Sequence, residues 1–271
     1  MKKIIIILNE SHIANQVIKR AISIAKATNS LIEAIYINDM DGLNYAYPFP
    51  NDLYLLTSPI YNESRMQESN KLLQDLAKEF STECEAEGIA YKIDIEKYVS
   101  VAHVISLSNY ADLIIADSKS NSDEYSIRDI LIDANCPLLL VSRNAEQIEN
   151  IVFTYDGTSS SFHAIKMFSY VFPEYKDFFI KLVHMAPTAG ESIPDLIEIK
   201  SWAERHFINL KFESIKGDPR KDMVALLSEN ASRTLVVLGA YGRSALSRLF
   251  LKSTAESIIN DTDCSLFITH R

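Results

Sequence analysis

Two short runs in the second half of the chain carry residue types suited to holding a phosphate-bearing ligand. One is Thr154-Tyr155-Asp156-Gly157-Thr158. The other is Gly239-Ala240-Tyr241-Gly242-Arg243, followed after eight intervening residues by Lys252-Ser253-Thr254. Two glycines three apart let the backbone turn sharply and bring its N–H groups close to an anion. A Ser-Thr pair opening a helix adds unpaired N–H groups and the positive end of the helix dipole. An Asp at a strand tip can accept hydrogen bonds from a ribose hydroxyl or an adenine amine. Alone, a GxxG pair is weak evidence, because many strand-to-helix turns need glycine for geometry only.

The elements that must position these runs emerge from an internal repeat. NCPLLLVSR at 135–143 matches DCSLFITHR at 263–271, and ADLIIAD at 111–117 matches RTLVVLG at 233–239. KIIIILNESHIANQVIK at 3–19 lines up with NIVFTYDGTSSSFHAIK at 150–166. The halves run over 1–143 and 150–271, joined by the polar segment Asn144–Glu149. In the first, apolar runs predict strands at Lys3–Leu8, Leu31–Ile37, Tyr91–Glu96, Leu113–Ala116 and Leu138–Ser142, with helices at about 12–27, 62–86, 100–110 and 124–134. In the second, strands fall at about 151–155, 178–184, 208–215, 234–238 and 265–269, with helices between. Each half is expected to be a doubly wound α/β domain with a five-stranded parallel sheet flanked by helices, because parallel neighbours need long crossovers of fixed hand. Ligands of such sheets bind beyond the carboxyl ends of the strands where strand order reverses, which here means after strands 1 and 4.

The order and spacing of these runs resemble the universal stress protein family, in its tandem, two-domain form with an adenine nucleotide alpha hydrolase-like fold. Nucleotide-binding members carry G-x2-G-x9-G-[ST] after strand 4 and an Asp after strand 1; Gly239-x2-Gly242-x9-Lys252-Ser253 keeps all but the third glycine. LSRLFLKSTAES, the turn Gly217-Asp218-Pro219 and His184-Met185, where the family has His-Val, point the same way. The resemblance implies a site for ATP or a related adenine nucleotide, with or without Mg2+. Thr154, Asp156 and Met185 would border the adenine and ribose. Gly239 and Gly242 would take the ribose and α-phosphate side, and Lys252, Ser253 and Thr254 the outer phosphates. Lys252 is the departure that matters: it adds bulk where backbone should approach phosphate, and also a positive charge that could serve as a ligand.

The first half lacks this equipment. Its strand 1 ends in Asn9-Glu10, and its strand 4 in Ala116-Asp117-Ser118-Lys119-Ser120, with no glycine between Gly88 and Gly157. From Leu113 to Cys136 is 23 residues, against 29 from Leu235 to Cys264. Asp117, Asp123 and Glu124 are expected to repel phosphates, so no nucleotide is expected there.

Composition bounds the rest. A net charge of −9 disfavours nucleic acid and anionic membrane surfaces as partners. The apolar run Ile4–Leu8 is shorter than the roughly 7–15 residues of a secretory core, so a strand and a cytoplasmic location are expected. Cys84, Cys136 and Cys264 form no CxxC and are read as core thiols; the six histidines show no metal-ligand spacing. Ser159–Ser161 are read as helix-capping residues, since no G-x-S-x-G is present. The stretch 36–61, with Tyr36, Tyr45, Tyr47, Tyr54 and Tyr61, is expected to cover the vacant end of the first sheet. Three functions are open. They are a regulatory nucleotide-binding protein with unknown protein partners, an interaction scaffold with a decayed site, and a weak nucleotide hydrolase. The last ranks lowest, because no residue stands out to hold metal or orient water. The last strands of the halves, Leu138–Ser142 and Leu266–His270, are expected to pair as an internal pseudo-dimer, alone or within a homodimer.

Overall fold

A computed structural model of the chain describes residues 2–9, 15–37, 59–94, 100–118, 130–218, 221–240 and 256–270. Ten strands follow one another: β1 Lys3–Asn9, β2 Leu31–Ile37, β3 Tyr91–Asp94, β4 Leu113–Asp117, β5 Leu138–Val141, β6 Asn150–Thr154, β7 Phe179–Ala186, β8 Asn209–Lys216, β9 Thr234–Ala240 and β10 Ser265–His270. Helices α1 Asn15–Thr28, α2 Pro59–Ala86 and α3 Val101–Ser108 lie in the first half. Helices α4 Ser159–Val171, α5 Leu196–Ala203, α6 Lys221–Leu227 and α7 Glu256–Asp261 lie in the second. Of the helix expected over 124–134, residues 130–134 are described, and 130–133 of them are helical.

The strands form one sheet in the order β3-β2-β1-β4-β5-β10-β9-β6-β7-β8. Read outward from the centre, each half has the same order, and in each the first strand lies between the second and the fourth. The two five-stranded sheets are therefore continuous. Their junction is the one antiparallel pair among the described strands, with Leu266 opposite Leu140, Phe267 opposite Leu139 and Ile268 opposite Leu138. This is the pairing of last strands that the resemblance implies.

Strands buried on both faces need apolar residues at every position, and Ile4–Leu8, Leu113–Ala116 and Leu138–Val141 supply them. On one face, α1 presents Val17, Ala21 and Ile24, α2 presents Leu73, Ala77, Phe80 and Cys84, and α4 presents Ala164, Ile165 and Phe168 to a core that runs through both halves. The halves fill it differently. The first uses mainly isoleucine and alanine. The second uses rings, with Phe168 5.5 Å from both Phe153 and Phe267, and Phe172 5.6 Å from Phe267. The opposite face packs Val104, Ile130, Met223, Leu227 and Ile258 on the sheet. All three cysteines are buried thiols, with burial pushing Cys84 and Cys136 up to about 12 and Cys264 to about 11.

The segment 144–149 is more than a tether. Ala145 and Ile148 are buried. Glu146 and Glu149 donate their backbone N–H groups to the carbonyls of Ser232 and Arg233, at 2.8 and 2.9 Å. Their carboxylates hold the Arg233 guanidinium at 2.8 and 2.9 Å. Across the same seam Arg20 donates to the Glu146 carbonyl, and Lys2 to the carbonyl of Val171 at the end of α4. The halves are joined by backbone and charge as well as by the sheet.

Candidate functional site

Strand order reverses between β6 and β9: the chain moves outward from β6 to β7 and β8, then returns to β9 on the other side of β6. The tips of β9, β6 and β7 thus stand side by side, carrying Gly239, Thr154 with Asp156, and Met185. These are four of the eight residues expected at the site. Gly242, Lys252, Ser253 and Thr254 lie outside the described residues, as do Asp123, Glu124, Tyr45, Tyr47 and Tyr54.

Thr154 is half-buried at the end of β6, and its hydroxyl donates to the Val237 carbonyl at 3.0 Å. It bridges β6 to β9 where the two strands begin to separate. Asp156 is exposed two residues further on. One oxygen, Oδ1, accepts from the Thr158 backbone N–H at 2.9 Å and from the hydroxyls of Thr158 and Ser161 at 2.7 Å each. Thr158 caps α4, its hydroxyl accepting from the Ser161 N–H at 3.2 Å. The expectation that Ser159–Ser161 cap the helix is corrected: the N-cap is Thr158, and the three serines form the first turn of α4. Thr158 and Ser161 also hold the Asp156 carboxylate in one orientation. Between them Gly157 has φ +82°, and a Cβ there would stand 2.8 Å from Pro194, so glycine serves both the turn and the packing.

Gly239 has a more specific reason to be glycine. A Cβ built on it would lie 2.5 Å from the carbonyl carbon and oxygen of Ser160 and 2.6 Å from the Cα of Ser161. The tip of β9 touches the first turn of α4, backbone to backbone. The sequence reading weighed turn geometry against anion binding at this position. The structure adds close helix–strand packing, which is sufficient by itself to require glycine. Its partners, Ser160 and Ser161, were expected from the sequence only as capping residues, and they meet Gly239 through backbone atoms.

Met185 is half-buried beside Ile215 and packs on the core of the face that holds α6 and α7. The neighbouring His184 points to the other face and is buried. Its Nδ1 lies 2.9 Å from the Tyr155 carbonyl, which can only accept, so Nδ1 carries the proton there. This strut ties the tip of β7 to the segment leading into Asp156. Tyr155 is itself buried. Desolvation first, then the carboxylates of Asp195, Asp156 and Glu198, raise its phenol above the usual range. Among the described residues no group of three or more His, Cys, Asp or Glu side chains converges as a metal site.

The corresponding tip in the first half is closed by charge. Asp117 stands where the repeat places Gly239, and its Oδ2 accepts from Arg143 Nε at 2.9 Å, with the carboxylate largely buried. The expectation that Asp117 acts as a bare repulsive charge is corrected: a cation from the end of β5 already neutralises it. Residues 1–143 hold 13 basic and 20 acidic residues, whereas 150–271 hold 14 of each.

A doubly wound sheet with its candidate residues at the order reversal defines an open α/β protein of the adenine nucleotide alpha hydrolase-like fold. A universal stress protein from Archaeoglobus fulgidus has this architecture, with a TM-score of 0.71 at 17% identity over 98% of each chain. Residues 147–270 match the model of the Universal stress protein family. A universal stress protein of Methanocaldococcus jannaschii is 25% identical over 150 residues, covering 48% of this chain and 88% of its own length. The likeness to universal stress proteins rests on residues 147–270 for the family model and on nearly the whole chain for the fold. Among the described residues, no helix is long and apolar enough to cross a membrane.

Proposed function

We propose that the chain is a tandem pair of universal-stress-type domains, residues 1–143 and 150–271, that act as a cytoplasmic, stress-related regulatory protein. The second domain holds ATP or a related adenine nucleotide, and the first supplies the other half of an internal pseudo-dimer. The observation that carries this reading is the convergence of Asp156 and Gly239 at the reversal of strand order. The Asp156 carboxylate is exposed and fixed in orientation, a preorganised acceptor for a ribose or adenine donor. Thr154 and Met185 border the same side. Gly239 keeps the tip of β9 slim, and the resemblance assigns Gly242, Lys252, Ser253 and Thr254, which lie outside the described residues, to the phosphates. Magnesium, where present, arrives with the phosphates.

Titration calorimetry of nucleotide-stripped protein with ATP and magnesium tests this. The expected outcome is saturable binding near one nucleotide per chain. Gly242→Val abolishes it without moving the melting midpoint. Gly239 is unsuitable for this purpose, because its substitution tests packing against Ser160. Absence of binding up to millimolar ATP overturns the reading and leaves a protein-binding scaffold with a retired site.

A further inference from the structure

Pairing of β5 with β10 consumes the inner edges of both half-sheets and, among the described strands, leaves two outer ones. One, β3, has four residues. The other, β8, has eight, each in register with β7 from Phe179–Asn209 to Ala186–Lys216. A strand paired on one side turns alternate backbone N–H and C=O groups outward, a template for another strand.

The side chains of this edge are those of a half-finished sheet. Leu210 and Phe212 are partly buried on one face and Ile215 on the other. At the start of the edge Ile208 is 69% exposed and Phe179, in register with Asn209, is 46% exposed.

We propose that β8 is a homodimerisation edge, pairing antiparallel with β8 of a second copy about a twofold axis normal to the sheet and centred on Phe212. Such an axis preserves the faces of the sheet, so residues pair only with residues of the same face. That leaves three central alignments. Centring on Lys211 or on Glu213 sets each of those charges against its own copy. Centring on Phe212 sets Lys211 opposite Glu213 of the partner subunit and Glu213 opposite the partner's Lys211, with Phe212 against the partner's Phe212. Within one chain Lys211 and Glu213 already lie on the same face, with Nζ and Oε1 2.5 Å apart. Pairing builds from them a four-charge square of alternating sign. The charge pattern is self-complementary in one register only, and this marks a second copy of the chain as the occupant. The chain joins its own halves by the same antiparallel edge geometry at β5 and β10.

Sedimentation velocity on the full chain across micromolar concentrations tests the proposal. The expected species has twice the 30.6 kDa chain mass. Lys211→Glu raises the dimer dissociation constant by about tenfold or more, because like charges then face each other across the strands. Adding Glu213→Lys restores the square with signs exchanged, and with it the dimer. Unchanged melting midpoints show that both variants fold. A monomer at every concentration overturns the proposal and makes the two charges guards of a solvated edge. A dimer indifferent to Lys211→Glu also overturns it, since the interface then lies elsewhere.

Discussion

At the tip of the fourth strand the two halves solve the same problem in opposite ways. In the second, Gly239 stands one residue before the end of β9, and the helix after β6 comes so close that a methyl group would not fit. In the first, β4 ends in Asp117, whose carboxylate carries a buried ion pair with Arg143. A glycine tip leaves backbone near the order reversal and adds no charge. An Asp–Arg tip fills that space with its own anion and cation. The repeat puts Arg271 where Arg143 stands, so the second half keeps the arginine and lacks the aspartate. The two tips occupy matching places in the sheet, and the first carries an ion pair where the second carries a glycine.

The sharpest way to break this comparison is to add bulk at the glycine. Gly239→Val forces backbone apart at β9 and α4, and is expected to destabilise the protein by roughly 3 kcal/mol or more, the range of severe overpacking against a rigid neighbour. Denaturant melts followed by circular dichroism measure it. Gly239→Ala should cost less but remain clearly destabilising, since the clash begins at Cβ. Wild-type stability for the valine variant would mean that the tip is more yielding than a backbone contact allows.

Much of this architecture was legible in the chain itself. Runs such as Ile4–Leu8 and Leu138–Val141 have the length and composition of strands buried on both faces, and the resemblance to the tandem family implied that the last strands pair. What was hidden depends on distance between elements far apart in sequence. Gly239 read as a turn or anion residue because nothing local says that Ser160 will lie against it. Asp117 read as a repulsive charge because its partner stands 26 residues away. Asn144–Glu149 read as a linker because its composition is polar, whereas Arg233 converts that polarity into a clamp. Gly242 and Lys252 through Thr254, where the departure from the family pattern falls, lie outside the described residues.

The next test concerns the closed tip. Asp117→Asn keeps an oxygen for Arg143 Nε but removes the charge, leaving a guanidinium two-thirds buried without its counterion. A loss of about 1–2 kcal/mol is expected, below the usual range for fully buried pairs because Arg143 keeps contact with water. Chemical denaturation of the variant beside wild type checks it. A neutral result would mean that Arg143 finds equivalent acceptors, and that the charge pair is incidental to closing the first tip.

The smallest effect is expected at the seam. Arg233 binds Glu146 and Glu149 in full contact with solvent, where ion pairs are weak and screened. Ser232 first and then Arg233, by their hydrogen bonds, hold the Glu146 carboxyl below its usual range. Arg233→Ala should therefore lower the melting midpoint slightly at low ionic strength and not at all in molar salt. The two backbone hydrogen bonds of 144–149 and the burial of Ala145 and Ile148 survive that substitution. A large loss that persisted in salt would place the weight of the junction on Arg233. A small, salt-sensitive one would leave it with the β5·β10 pair and the apolar core that runs beneath both halves.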